Sequence, residues 1–178
     1  ACAAGTGTAV YDLGNSVQRL QGDRAVDASK SRYVSSAEQR AALWLEGHAG
    51  RDDVVATNVF CSSTRYRAGC RSASFWVSAL AGRQLFVGAW AYTGQNLEAY
   101  GRGGNVDYQR LDSPWPDRVA LSLEAVRSPT AATIAALERR GVRWIYADRR
   151  ATTISPNLGK LATLRDRTAD VRIFQLAD

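Results

Sequence analysis

Aromatic and polar side chains are concentrated between residues 90 and 115 of this chain. Sugar rings stack on exposed Trp and Tyr rings, while Arg, Asn and Asp side chains hydrogen-bond sugar hydroxyl groups. The alternative is that these rings cover the core beneath a long loop, and Trp90 in particular continues a predicted strand. Seven side chains are the candidates for a glycan-binding surface: Trp90, Tyr92, Tyr100, Asn105, Asp107, Tyr108 and Trp115.

Carboxylate pairs are the second set of groups with possible chemistry, because two of them at a suitable separation hydrolyse glycosides. Asp148 follows a predicted strand, where α/β proteins usually bind ligands. An ordinary ion pair with the neighbouring Arg149 or Arg150 is the alternative. Which acids pair depends on their separation in space, so all of them stay open as candidates: Asp52, Asp53, Glu98, Asp107, Asp112, Asp117 and Asp148.

Other common catalytic and metal sites have no match in the sequence. There is no GxxxxGK[ST] phosphate loop and no GxSxG nucleophile elbow. The single histidine, His48, follows a predicted helix stop at Gly47, so an exposed loop histidine is favoured over a catalytic base. With one histidine and no CxxC pair, a zinc site is not predicted. We therefore predict no metal and no cofactor, and assign no catalytic residue.

Cys61 and Cys70 are predicted to form a disulfide. Closing so short a loop stabilises a fold by roughly 2–3 kcal/mol in the chain-entropy model. It also indicates an oxidising compartment. The alternative is two reduced, buried cysteines. Cys2 is left without a predicted partner.

Composition and charge limit the class of protein. The chain has 178 residues with 46% hydrophobic and 22% charged residues, which suits one globular domain. No stretch approaches the roughly 20 apolar residues that span a bilayer. The net charge of +6 is scattered, so a nucleic-acid partner is not predicted; a surface for anionic lipid and a codon bias towards arginine are the alternatives. The absence of methionine suggests a processed product or excised domain.

Helix and strand patterns alternate through the middle of the chain and a hairpin closes it. This order predicts an α/β fold: a mainly parallel sheet flanked by helices, with Rossmann-like layering and a C-terminal antiparallel hairpin. Residues 1–34 are predicted to be an arm or linker, and 35–178 a single domain. The predicted elements are helices over 36–46, 75–80 and from Ser128-Pro129 to about 140, strands over 54–57, 85–87 (running towards Trp90), 142–147, 161–164 and 171–176, and a long loop over 91–118.

Several blocks in this order resemble the C-terminal extracytoplasmic domain of large actinobacterial polytopic membrane proteins. Those proteins are uncharacterised or described as glycosyltransferase-like, of the GT-C kind. The similarity covers roughly 36–176, and its weight lies in the order and spacing of moderately specific apolar blocks. An acidic residue is expected before Gly-Trp, where this chain has Gly-Ala-Trp at 88–90. The matching blocks are Ala-x-x-Trp-Leu at 41–45, 54–58, the cysteine segment 61–70, Phe-Trp-Val-Ser-Ala-Leu at 75–80, 141–148 and 171–176.

The resemblance implies a cell-envelope protein whose membrane-embedded part precedes this domain on the same polypeptide. It implies a location on the extracytoplasmic face of the plasma membrane, and it brings no catalytic residue into the domain. We therefore expect an accessory domain in envelope glycan or lipid-linked sugar transfer, which binds glycan or packs on the membrane part. The alternatives are a structural or protein-interaction domain without a ligand, and a small secreted hydrolase that uses a carboxylate pair.

Overall fold

A computed structural model describes residues 34–61, 70–72, 74–100 and 108–177 of the chain. Cys2 and nearly all of the predicted arm over 1–34 lie outside these residues. None of the helices in the described part is long and apolar enough to cross a membrane. The elements are α1 (Ser36–His48), β1 (Val54–Thr57), α2 (Trp76–Ala81), β2 (Gln84–Leu85), α3 (Gly94–Tyr100), a 3₁₀ turn (Tyr108–Arg110), α4 (Pro116–Arg127), α5 (Ala131–Glu138), β3 (Val142–Asp148), α6 (Leu158–Leu161), β4 (Thr163–Arg167) and β5 (Val171–Gln175).

The five strands form one mixed sheet in the order β2-β1-β3-β5-β4. β1 pairs in parallel with both β2 and β3, while β5 runs antiparallel to both β3 and β4. The α/β prediction and the C-terminal antiparallel hairpin are therefore confirmed. The sheet as a whole is mixed, parallel at one end and antiparallel at the other.

Side chains of β3 alternate between two apolar layers, as strand geometry requires. Trp144 and Tyr146 pack with residues of α1 and α2 on one face. Ile145 and Ala147 pack with residues of α4 and α5 on the other face. Helices thus cover both faces of the sheet, which explains why β3 is an almost continuous apolar run.

Helix α1 begins where the sequence predicts. Ser35 and Glu38 form a capping box, in which the Ser35 Oγ accepts from the Glu38 N–H and the Glu38 carboxylate accepts from the Ser35 N–H at 2.5 Å. Leu45 of this helix is fully buried. The helix runs two residues beyond its predicted end at 46, so Gly47 does not stop it. His48 is exposed as predicted, but it is the last residue of the helix and not a loop residue, and its ring stacks on Trp44 with centroids 3.9 Å apart.

The predicted loop over 91–118 is wrong in part, because it contains α3, the 3₁₀ turn and the start of α4. Pro114 and Pro116 made this segment resemble a loop. Pro116 instead occupies the first turn of α4, where its fixed φ and missing N–H cost nothing. The remainder of α4, up to Arg127, has no counterpart among the predicted elements.

Three other predicted boundaries shift. The helix predicted to begin at Ser128 begins at Ala131, because the Thr130 hydroxyl accepts from the Thr133 N–H and Ser128 ends α4. The strand predicted over 85–87 is only Gln84–Leu85. The first strand of the hairpin runs over Thr163–Arg167 rather than 161–164.

The predicted disulfide between Cys61 and Cys70 is confirmed, with Cα atoms 6.2 Å apart. Cys61 follows β1 by a few residues and Cys70 precedes the segment that leads into α2. The bond therefore ties the chain leaving β1 to the segment that begins at Arg71.

Candidate binding site

A cleft of about 630 Å³ opens where the chain leaves β1 and β3. Asn58 follows β1, Ala151 and Thr152 follow β3, and all three line it. Open α/β sheets bind ligands at the carboxyl ends of parallel strands, and small-molecule sites measure roughly 300–1,000 Å³. The position and the size of the cleft are therefore those of a binding site.

The walls of the cleft are mainly apolar. Phe60 and Trp90 form one wall, with ring centroids 5.2 Å apart, and Val119 and Leu123 of α4 contribute the other. Trp90 is only 3% exposed, and its indole N–H donates to the Leu111 carbonyl at 2.8 Å. The Trp90 ring thus belongs to the core beneath the site, as the alternative interpretation held, rather than to an exposed stacking surface.

The rim of the cleft is polar. The Arg71 guanidinium pairs with the Asp112 carboxylate, and both side chains are largely exposed. The Arg71 and Ser72 N–H groups donate to the Gln109 carbonyl at 2.6 and 3.0 Å, which fastens these two segments together. Arg127, at the end of α4, also lines the cleft.

Asn58 connects the cleft to a polar network behind it. Its amide nitrogen donates to the Asp148 carbonyl and to the Thr152 hydroxyl, each at 2.8 Å, and its amide oxygen accepts from the Asp148 N–H at 2.9 Å. Asn58 is completely buried. These bonds fix the loop after β3 relative to the end of β1, and so fix one end of the cleft.

A buried pair of carboxyl groups lies in this network. Asp148 and Glu38 are 1% and 2% exposed and their carboxyl groups hydrogen-bond to each other. The Arg150 guanidinium binds the Glu38 carboxylate, and the Arg150 N–H donates to Asp148 Oδ1 at 2.7 Å. Burial, followed by the hydrogen bond to Glu38 and the Glu38 charge, raises the pKa of Asp148 to about 8. The Asp148 carboxyl group therefore holds its proton at neutral pH.

Tyr146 also belongs to this network. Its hydroxyl donates to the Glu38 carbonyl at 2.8 Å. Burial, and then the charges of Asp148 and Glu38, raise the pKa of Tyr146 far above its ordinary value. The phenol therefore remains a hydrogen-bond donor at every pH at which the protein works.

The candidate carboxylates end up in different environments. Asp148 is not in a surface ion pair, and its partner Glu38 is not among the candidates because its place three residues after Ser35 predicts a helix-capping role. Of the candidates, Asp112 lines the cleft, Asp53 accepts from the Trp144 indole at 2.7 Å, and Asp117 pairs with Arg140 at 3.5 Å. Asp107 lies outside the described residues. Glycosidase pairs stand roughly 5–10 Å apart with room for substrate, unlike the buried Glu38–Asp148 contact.

An aromatic patch lies beside the cleft, formed by Phe75, Tyr92 and Tyr108. The Tyr92 ring centroid is 5.5 Å from that of Tyr108 and 6.4 Å from that of Phe75. Tyr92 is 58% exposed and Phe75 48% exposed. The structure thus brings two of the predicted glycan-binding residues together, and adds Phe75, which the sequence had indicated only as part of a helix.

The remaining candidates of this set do not extend the patch in the described structure. Trp115 is 38% exposed and stands directly before α4. The side chain of Tyr100, and Asn105 and Asp107, lie outside the described residues. Within the described ranges no group of three or more His, Cys, Asp or Glu residues is placed to hold a metal ion.

Three segments contribute to both the patch and the cleft. The first carries Arg71 to the cleft and Phe75 to the patch, the second carries Trp90 and Tyr92 in the same way, and the third carries Asp112 and Tyr108. No protein-family model matches this chain, and no curated protein or solved structure matches it. What the site does must therefore be argued from its own residues. An exposed aromatic surface that continues into a cleft with a charged rim can bind a ligand with both polar and apolar faces.

Proposed function

We propose that this chain is a glycan-binding accessory domain of the cell envelope, without catalysis of its own. The observation that carries the proposal is the exposed aromatic patch of Phe75, Tyr92 and Tyr108, which continues into the cleft. Sugar rings have apolar faces that stack on aromatic rings and hydroxyl groups that need polar partners. The rim pair Arg71–Asp112 supplies such polar groups next to the patch.

Solvent exposure distinguishes the patch from aromatic rings that only cover the core. Trp90 shows what a core ring looks like in this segment, with 3% exposure and its N–H bonded to the main chain. Tyr92, two residues further on, keeps more than half of its surface in water. Exposed aromatic side chains that lie together, as Phe75 and Tyr92 do, support an interaction site on this part of the surface.

The location belongs to the same proposal. The Cys61–Cys70 disulfide supports an oxidising, extracytoplasmic compartment. We propose further that the domain is attached to a membrane-embedded part of the same polypeptide, with a GT-C-like role in envelope glycan or lipid-linked sugar transfer. Its helices on both faces of the sheet support the Rossmann-like layering expected from the sequence.

The test is glycan retention in affinity gels that contain neutral envelope polysaccharides. We expect Tyr92→Ala to weaken retention about threefold to tenfold, since an aromatic stacking contact is worth roughly 0.5–1.5 kcal/mol. Leu43→Ala is the matched control, because Leu43 is 53% exposed and lies on α1, whose residues line neither the patch nor the cleft. Equal retention of wild type and Tyr92→Ala would refute glycan binding at the patch and favour a protein partner there.

A further inference from the structure

Three arginine side chains line a second pocket, of about 350 Å³, which shares no lining residue with the aromatic patch or the cleft. Arg149 comes from the turn after β3, Arg167 from the end of β4 and Arg172 from β5. Asp170 is the carboxylate that lines this pocket. Three guanidinium groups against one carboxylate leave two positive charges uncompensated at neutral pH.

The strand register places two of these charges directly against each other. Arg167 and Arg172 are Cα partners in the antiparallel β4–β5 ladder. Like charges in such cross-strand pairs are destabilising. Asp170 does not relieve them, because it pairs with Arg149 at 3.0 Å and accepts from the Ser35 hydroxyl at 3.1 Å. An anion between the two arginines would remove this repulsion.

The backbone around the pocket is held firmly. In the turn between β4 and β5 the Thr168 N–H donates to the Val171 carbonyl at 2.9 Å, and the Val171 N–H donates to the Thr168 hydroxyl at 3.1 Å. The Arg149 N–H donates to the Asp170 carbonyl at 2.9 Å. The arginines therefore extend from a fixed frame, which lowers the conformational cost of binding.

We infer that this pocket binds a phosphate group that carries two negative charges, as a phosphomonoester or a diphosphate. Two uncompensated cations match a dianion better than a single carboxylate. The guanidinium fork matches phosphate oxygens in bidentate geometry, and such charge-assisted bonds are stronger than neutral ones. This site is independent of glycan binding, because it shares no residue with the patch or the cleft.

The test is calorimetric titration of the whole chain with inorganic pyrophosphate at constant ionic strength. We expect saturable binding, weakened at least about tenfold in Arg167→Ala and in Arg172→Ala, since a hydrogen bond to a charged group is worth roughly that much. Arg165→Ala is the matched control: Arg165 lies on the same strand and is exposed, but it does not line the pocket. Circular dichroism establishes that each variant is folded.

Two results would overturn the inference. One is the absence of saturable pyrophosphate binding by the wild-type chain. The other is an equal loss of affinity in Arg165→Ala and Arg172→Ala, because binding would then depend on net charge rather than on the pocket.

Vesicle flotation identifies where the phosphate comes from. The wild-type chain is mixed with phosphatidylcholine vesicles that contain or lack phosphatidic acid, whose headgroup is a phosphomonoester. Flotation only with phosphatidic acid, abolished by pyrophosphate and by Arg172→Ala, supports a lipid headgroup as the source. Pyrophosphate binding without flotation supports a soluble phosphorylated compound. Flotation that Arg172→Ala and Arg165→Ala reduce equally counts against the pocket.

Discussion

Replacing Asp148 by Asn should stabilise the protein at neutral pH, although Asp148 lies at the centre of a buried hydrogen-bond network. The asparagine amide oxygen can still accept from the Arg150 N–H, as Asp148 Oδ1 does at 2.7 Å. The amide nitrogen can donate to Glu38 in place of the Asp148 carboxyl proton. The substitution thus preserves both hydrogen bonds and removes a carboxyl group that must be protonated when the chain folds.

The magnitude follows from the pKa of Asp148, which rises from 3.8 to about 8 on folding. Between those two values the folded chain binds a proton that the unfolded chain releases. Below about pH 4 Asp148 therefore does not lower the free energy of unfolding. As pH rises from 4 towards 8, the free energy of unfolding falls by about 1.4 kcal/mol per pH unit. At pH 7 this loss is roughly 4 kcal/mol, and Asp148→Asn should recover it.

The assay is urea unfolding of wild type and Asp148→Asn at several pH values between 4 and 8. We expect similar free energies of unfolding near pH 4 and a difference that widens steadily to pH 8. Asp117→Asn is the control, because Asp117 is exposed and pairs with Arg140 at the surface, so its curve should run parallel to that of wild type. If Asp148→Asn also runs parallel to wild type, Asp148 is ionised in the folded protein and the reasoning fails.

Four further substitutions test other features by denaturant unfolding. Cys70→Ser should lower the free energy of unfolding by about 2–3 kcal/mol, and the difference should vanish when wild type is reduced. Asn58→Ala should cost about 3 kcal/mol, because it leaves buried partners in the loop after β3 unbonded; a cost no larger than that of the exposed substitution Leu43→Ala would contradict this role. Gly82→Ala should cost about 1 kcal/mol because φ is +58° there, a conformation that disfavours a Cβ atom, although the new Cβ would meet only the Glu46 Cγ at 3.7 Å. Gly47→Ala should instead stabilise the protein by about 0.5–1 kcal/mol, because Gly47 lies in helix α1, where alanine is favoured.

Elements whose signals are local were predicted well from the sequence. The capping box at Ser35 fixes the start of α1, and the apolar β-branched runs fix β1 and β3. Helix α4 was missed because Pro116 at its first position also suits a loop, and only packing of Val119 and Leu123 against Phe60 and Trp90 distinguishes the two.

The site depends on contacts between residues that are far apart in the sequence. Glu38 and Asp148 are separated by more than a hundred residues and meet only because β3 lies next to α1 in the fold. Phe75 joins Tyr92 and Tyr108 for a similar reason, since three separate segments converge at one edge of the molecule. Residue types therefore predicted which chemistry was present, whereas topology decided which groups came together.

The Cys61–Cys70 bond links the two chain segments that provide Phe60 in a wall of the cleft and Arg71 on its rim. The Phe60 carbonyl also accepts from the Ser74 N–H at 2.8 Å, so the disulfide and a main-chain hydrogen bond together hold these two segments. The arrangement of this part of the cleft therefore depends on oxidation of two thiols as well as on folding. In a chain whose thiols stay reduced, only noncovalent contacts would hold the Phe60 and Arg71 segments together.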